Sequence, residues 1–190
     1  DDEADMTPVV EKVIDYDKRD LSEEKVLIPA SSVKGAISHR TTYYYNLLNN
    51  NFIENGAKAE IIESIFGAKK DKEKDVFKGN ILISDVYLDK TSSKDTKVFD
   101  HVSIDRFTGG GIDGALFQEK TIASKETFIL EILIKEDKVS DDIALESFEK
   151  ALKDITTGML SLGGATTKGH GVFTGIVLKN GEQIWEHKKS

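Results

Sequence analysis

Apolar side chains along this chain recur at two periods, and the switches between them divide it into elements. From Lys25, the run Val26-Leu27-Ile28 reads as a short strand stopped by Pro29. Val33, Ile37, Tyr44, Leu47 and Leu48 then fall near 3.6-residue spacing. They predict a helix over residues 32–48, with capping serines at its start and Asn49 to Asn51 at its end. A second amphipathic piece, residues 57–66, stops at Gly67, and residues 69–78 form a polar connector. Strand patterns follow at 80–88, 97–104, 115–122, 127–135 and 171–178, and Phe128-Ile129-Leu130-Glu131-Ile132-Leu133-Ile134 has the pattern of a well-buried strand. Ile143, Ala144, Phe148, Ala151, Leu152 and Ile155 mark one face of a helix, with Gly158 near its end. Residues 183–187 make a short closing piece, and residues 1–25 an irregular, acidic lead-in. No internal repeat is evident.

The order helix, strands, helix, strand predicts an α+β chain, a ferredoxin-like (RRM-like) βαββαβ core with an enlarged middle hairpin. Its opening strand is weak or missing. Val9 to Ile14 alone could serve, and Glu11 and Lys12 interrupt it, so the strand precedes this chain or comes from another chain or domain. The length of 190 residues fits one domain over residues 1–190, and 38% hydrophobic residues can build its core.

Composition narrows the chemistry. The absence of cysteine excludes disulfides, thiolate zinc sites and a cysteine nucleophile, and fits a reducing compartment. No apolar run approaches membrane-span length and the start Asp1-Asp2-Glu3 is unlike a signal peptide, so a cytoplasmic protein without membrane contact is expected. A net charge of -8 means that any nucleic-acid binding is local, since phosphate contacts come from lysine and arginine.

Three segments carry candidate chemistry, each with a bland alternative. In Pro29-Ala30-Ser31-Ser32-Val33-Lys34-Gly35, two hydroxyls and a lysine sit at a helix N-terminus, which is either an anion site or a plain cap before a solvated lysine. Between two strands, Asp105-Arg106-Phe107-Thr108-Gly109-Gly110-Gly111 is either an ordinary turn or a loop in which a polyanion lies against bare N–H groups beside Arg106. Leu162 to Gly171 holds Gly163, Gly164, Lys168 and His170, and reads as a tight connection or a phosphodiester cradle. His39, His101, His170 and His187 show no metal-ligand spacing, although His170 lies in a glycine loop where it could act as a base. A carboxylate among Asp1, Asp2, Glu3 and Asp5 could hold a divalent cation, with terminal solvation as the default. Tyr43, Tyr44, Tyr45 and Phe107 offer stacking surfaces, Tyr44 sharing the apolar stripe of its helix.

The order of the three segments resembles the RAMP superfamily of CRISPR systems, and within it the backbone subunit of type III effector complexes. The resemblance covers residues 5–178. It implies antiviral defence through an RRM-like core that grips CRISPR guide RNA (crRNA), with target RNA and other RAMP subunits or fused domains as partners. It carries guide contact onto Ser31, Ser32, Lys34 and Arg40 at the helix start. Arg106, Thr108, Gly109 and Gly110 match the loop bordering the thumb, and Gly163, Gly164 and Lys168 match the C-terminal glycine loop. In cleaving members an aspartate before the proline-serine-serine motif cuts target RNA as a metal-dependent endoribonuclease, with Mg or Mn as the divalent ion. Asp5 is the matching catalytic and metal-binding residue, one place from the family's usual position, where this chain has Met6. Two alternatives share the fold: a structural RAMP subunit without chemistry, and an endoribonuclease that matures the guide, using His170. A ferredoxin-like sensor or assembly module lies outside nucleic acids altogether.

Overall fold

The structure, a computed structural model, describes residues 4–52, 60–68, 77–88, 95–123 and 125–186. Asp1, Asp2, Glu3, His187 and most of the connector after Ala68 lie outside them, as do the first residues of the piece expected at 57–66. The early strands are β1 (Val10–Glu11), β2 (Ile14–Asp15), β3 (Asp20–Leu21), β4 (Lys25–Ile28), β5 (Gly67–Ala68), β6 (Phe77–Lys78) and β7 (Ile81–Ile83). The later ones are β8 (Val86–Leu88), β9 (Thr96–Ile104), β10 (Gly111–Ile122), β11 (Ile132–Ile134), β12 (Ile176–Lys179) and β13 (Glu182–Glu186). Three helices accompany them, α1 (Ala30–Leu48), α2 (Glu60–Phe66) and α3 (Asp142–Thr156). The chain is α+β, built on small antiparallel sheets, and divides into two compact units.

The first unit comprises Asp1–Ile28 and Asp85–Leu130. Its sheet β1-β4-β8 pairs Val10 with Val26 and Val26 with Leu88. The lead-in is thus partly ordered, contrary to the irregular segment expected. Asp15 accepts hydrogen bonds from the amides of Asp17 and Lys18 at 3.1 Å each, closing the turn between β2 and β3. The dominant element is the β9–β10 hairpin, in which Val102 faces Leu116 and His101 faces Phe117.

The second unit comprises Pro29–Ser84 and Glu131–Ser190. Here α1 packs on α3, and β7 pairs antiparallel with β11 through Ile81–Ile134, Leu82–Leu133 and Ile83–Ile132. The order α1, β7, β11, α3, β12 is compatible with a ferredoxin-like core whose middle hairpin, β7 to β11, is interrupted by residues 84–131. In such a sheet the opening strand stands between the third and fourth strands. Among the described residues none does so, and β12 pairs with β13 instead. The Val10–Glu11 pair, the nearest candidate, is exposed and pairs with β4 in the other unit.

Helix boundaries follow local chemistry. Pro29, with φ fixed at -68°, caps α1 without a side-chain bond, so the helix starts at Ala30 and the serines expected as caps lie inside its first turn. Asp141 caps α3: one carboxylate oxygen accepts from the amides of Ile143 and Ala144 at 2.8 and 3.1 Å, and the other from the Tyr45 hydroxyl at 2.9 Å. Val33, Ile37 and Thr41 of α1 are fully buried, as are Ala144, Ser147 and Ala151 of α3, small side chains that suit close helix approach.

Two expected strands come out differently. The segment 80–88 splits at Ser84 and Asp85, with β7 and β8 taking partners in separate units. The run 128–134 is ordered as a strand only at Ile132–Ile134, and Leu133 is 60% exposed. Its sheet is covered on one side: Ile81 is buried, while Leu82, paired with Leu133, faces outwards. The last long strand also starts later than its apolar pattern, at Ile176.

Two substitutions should move stability in opposite directions. Thr41 Oγ1 is buried with no hydrogen-bond partner, so Thr41→Val should raise unfolding stability by about 1 kcal/mol. Asp141→Ala removes a cap and leaves the half-buried Tyr45 hydroxyl without its acceptor, and should cost about 2 kcal/mol. Chemical denaturation of the two variants beside the parent protein checks both signs.

Candidate nucleic-acid interface

The loop joining β9 to β10 is closed by its own groups. Asp105 Oδ1 accepts from the amides of Phe107 at 2.7 Å and Thr108 at 2.9 Å, and its carbonyl accepts from Gly109 at 2.9 Å. The Gly110 amide donates to Thr108 Oγ1 at 3.3 Å, and the Gly110 carbonyl accepts from the Asp105 amide at 2.8 Å. Gly109, at φ +70°, takes the left-handed conformation the turn needs. The amides expected to be bare are therefore occupied. What the tip offers is side chains: Arg106 is exposed with no ion-pair partner among the described residues, and Phe107 is 100% exposed. The amides of Thr108 and Phe107 hold the Asp105 carboxyl below its ordinary value.

The other two expected contact segments lie in the second unit. No acidic residue stands in the first turn of α1, so nothing neutralises the positive end of its dipole. Ser31, Ser32 and Gly35 there are exposed, and Lys34 is half-buried with no acidic partner among the described residues. The loop from Leu162 to Gly171 is pinched shut by a 2.9 Å bond from the Leu162 amide to the Gly171 carbonyl. A Cβ on Gly171 would stand 1.8 Å from the Leu162 carbonyl oxygen, so only glycine fits. Within the loop, Gly163, Ala165 and Gly169 all have positive φ. The Lys168 and Gly169 amides donate to the carbonyls of Ala165 and Thr166, but the amides of residues 163–167 donate to no acceptor among the described residues. Gly163, Gly164 and Lys168 are exposed. Backbone anion nests are built from consecutive amides without acceptors beside left-handed residues.

Arg40 is engaged within the second unit. Its Nε donates to Asp154 Oδ2 at 2.5 Å, which also accepts from the Tyr44 hydroxyl at 2.8 Å. The guanidinium lies 5.2 and 5.5 Å from the Tyr43 and Tyr44 ring centres. Burial and the Asp154 carboxylate push the Tyr44 hydroxyl above its ordinary value. The arrangement ties α1 to α3.

Asp5 stands in the first unit, exposed, and its Oδ2 accepts from the Gln118 amide at 2.7 Å. The next residue, Met6, forms a parallel bridge with Glu119 of β10. Among the described residues no group of three or more acidic or histidine side chains could hold a metal ion. A divalent ion at Asp5 would therefore draw most of its shell from phosphate and water, as magnesium does. One pair leaves no trace in the sequence: His101 Nε2 lies 2.9 Å from Glu119 Oε2, and Glu119 is 4% exposed. Residue types at 101 and 119 say nothing alone; the register that places Phe117 opposite His101 creates the contact.

Because the Asp105 carboxyl lies below its ordinary value of 3.8, the order it gives the tip is complete above that pH. That contribution is lost as pH falls through the lowered value. NMR titration should show the Phe107 and Thr108 amides shifting together with an Asp105 carboxyl midpoint below 3.8; a midpoint at 3.8 contradicts the turn.

Comparison with curated proteins finds no matching sequence. No helix among the described residues is long and apolar enough to cross a membrane. The model of the RAMP superfamily matches residues 10–174, a span that takes in the α1 start, the β9–β10 loop and the C-terminal glycine loop up to β12. With that match over most of its length, the chain belongs to the RAMP superfamily of CRISPR-associated, RNA-binding proteins.

Proposed function

We propose that this chain is a guide-RNA-binding backbone subunit, or the equivalent domain, of a type III CRISPR effector complex, working with target RNA and neighbouring RAMP subunits. The observation that carries the reading is the set of open amides at residues 163–167, a cradle shaped for a phosphate of the guide. Lys34, Ser31 and Ser32 at the start of α1, which has no side-chain cap, supply a second phosphate contact. Arg106 reaches a phosphate through its guanidinium, and Thr108, Gly109 and Gly110 shape the turn that presents it. Arg40 serves the α1 contact indirectly, by holding α1 on α3.

Cleavage of target RNA is assigned to Asp5. Its carboxylate would hold a divalent ion, Mg or Mn, together with phosphate oxygens of the RNA, and that ion would neutralise charge at the cleaved phosphate. Asp5 itself is held by the Gln118 amide, which leaves its second oxygen directed to no donor among the described residues. Among the described residues no group of three or more acidic or histidine side chains is placed to hold a metal ion, which favours a second reading, a structural subunit without chemistry.

Guide-sized RNA should copurify with the protein. Lys34→Ala should weaken RNA binding with little sequence preference and lower the slope of log affinity against log salt by about 0.7. An unchanged slope removes Lys34 from the interface. In an assembled complex, Asp5→Ala should abolish the cut opposite this subunit while guide retention stays intact; equal cutting leaves the structural reading standing.

A further inference from the structure

In the first unit a carboxylate is as buried as the apolar residues of its small core. Glu119 is 4% exposed, against 5% for Val86, 7% for Ala4 and 9% for Leu88. Across the same hairpin Val102 and Leu116 lie 54% and 67% exposed, so this is no ordinary apolar core. A buried carboxylate is unfavourable unless donors reach it. His101 Nε2 does so at 2.9 Å, as a neutral Nε2–H tautomer or as a cation, and its ring stacks on Phe117 at 4.8 Å and 21°.

Glu119 is also the residue on which the Asp5 segment docks. The Met6 amide donates to the Gln118 carbonyl at 3.0 Å, and the Lys120 amide donates to the Met6 carbonyl at 2.8 Å. The Gln118 amide donates to Asp5 Oδ2 at 2.7 Å. These bonds flank Glu119 on one edge of β10, while β9 takes the other edge, pairing Phe99 with Glu119. The orientation of residues 118–120 therefore fixes where the Asp5 carboxylate stands.

We propose that His101 and Glu119 are positioning residues for Asp5: their bond holds the β10 edge in the orientation on which Asp5 and Met6 dock. The proposal rests on reading Asp5 as the cleaving carboxylate. Without His101, the Glu119 carboxylate loses a donor while out of water, and the resulting strain falls on the β10 edge between the two Met6 bonds. Glutamine at position 101 keeps an N–H donor, and leucine at position 119 removes the need for one.

Amide hydrogen exchange on the full chain reads the clamp without any cleavage. His101→Ala should quicken exchange at Met6 and Lys120 by about tenfold or more, with a smaller change along the β9–β10 ladder. His101→Gln, or the double variant His101→Ala with Glu119→Leu, should restore protection. Equal quickening throughout the hairpin would mean that the pair merely supports the hairpin, and no quickening, or no restoration, overturns the proposal. In the assembled complex, target-RNA cutting should fall with His101→Ala and return in the double variant, with guide retention constant. If Asp5→Ala leaves cutting unchanged, the cleavage reading fails by itself, and the exchange result still decides whether the pair holds the segment.

Discussion

The second unit depends on the seam between α1 and α3. The small side chains Ala144, Ser147 and Ala151 of α3 are fully buried, as are Val33, Ile37 and Thr41 of α1, which suits close approach of the two backbones at the seam. Two carboxylates secure it at separate places. Asp154 gathers Arg40 and Tyr44, and Asp141 takes Tyr45 with the oxygen that does not cap α3. The three consecutive tyrosines thus share the work: Tyr44 and Tyr45 reach across the seam, and Tyr43 lies exposed against the Arg40 guanidinium. Because α1 is anchored along its length, its N-terminal turn is carried on a rigid rod, and the glycine loop that follows α3 is tethered to the same pair of helices.

Much of this could be read from residue order. The apolar stripe from Ile143 to Ile155 gave α3 nearly to its ends, and the glycine punctuation marked both loops. Strands were less legible because period-two patterns report burial and not pairing. Ser84 and Asp85 interrupt one apolar stretch just enough for its halves to join different sheets. The exposed side of β7 and β11 is as apolar as the covered side, so the sequence looked buried on both.

At the candidate site, residue types were legible and bonding states were not. The glycine loop beside Arg106 and the one beside Lys168 look alike in sequence. Asp105 makes the difference: a single carboxylate, placed two and three residues before the amides it binds, fills the first loop from within. The second loop has no aspartate or asparagine inside it, and its amides stay open. The His101–Glu119 contact was invisible for another reason, since it arises only once the hairpin register is known.

The self-satisfied tip has a thermodynamic consequence. Arg106 and Phe107 project from a turn whose backbone is already fixed by Asp105, so a strand meeting them need not pay for ordering the loop, and only two side chains lose freedom. The finger arrives preformed.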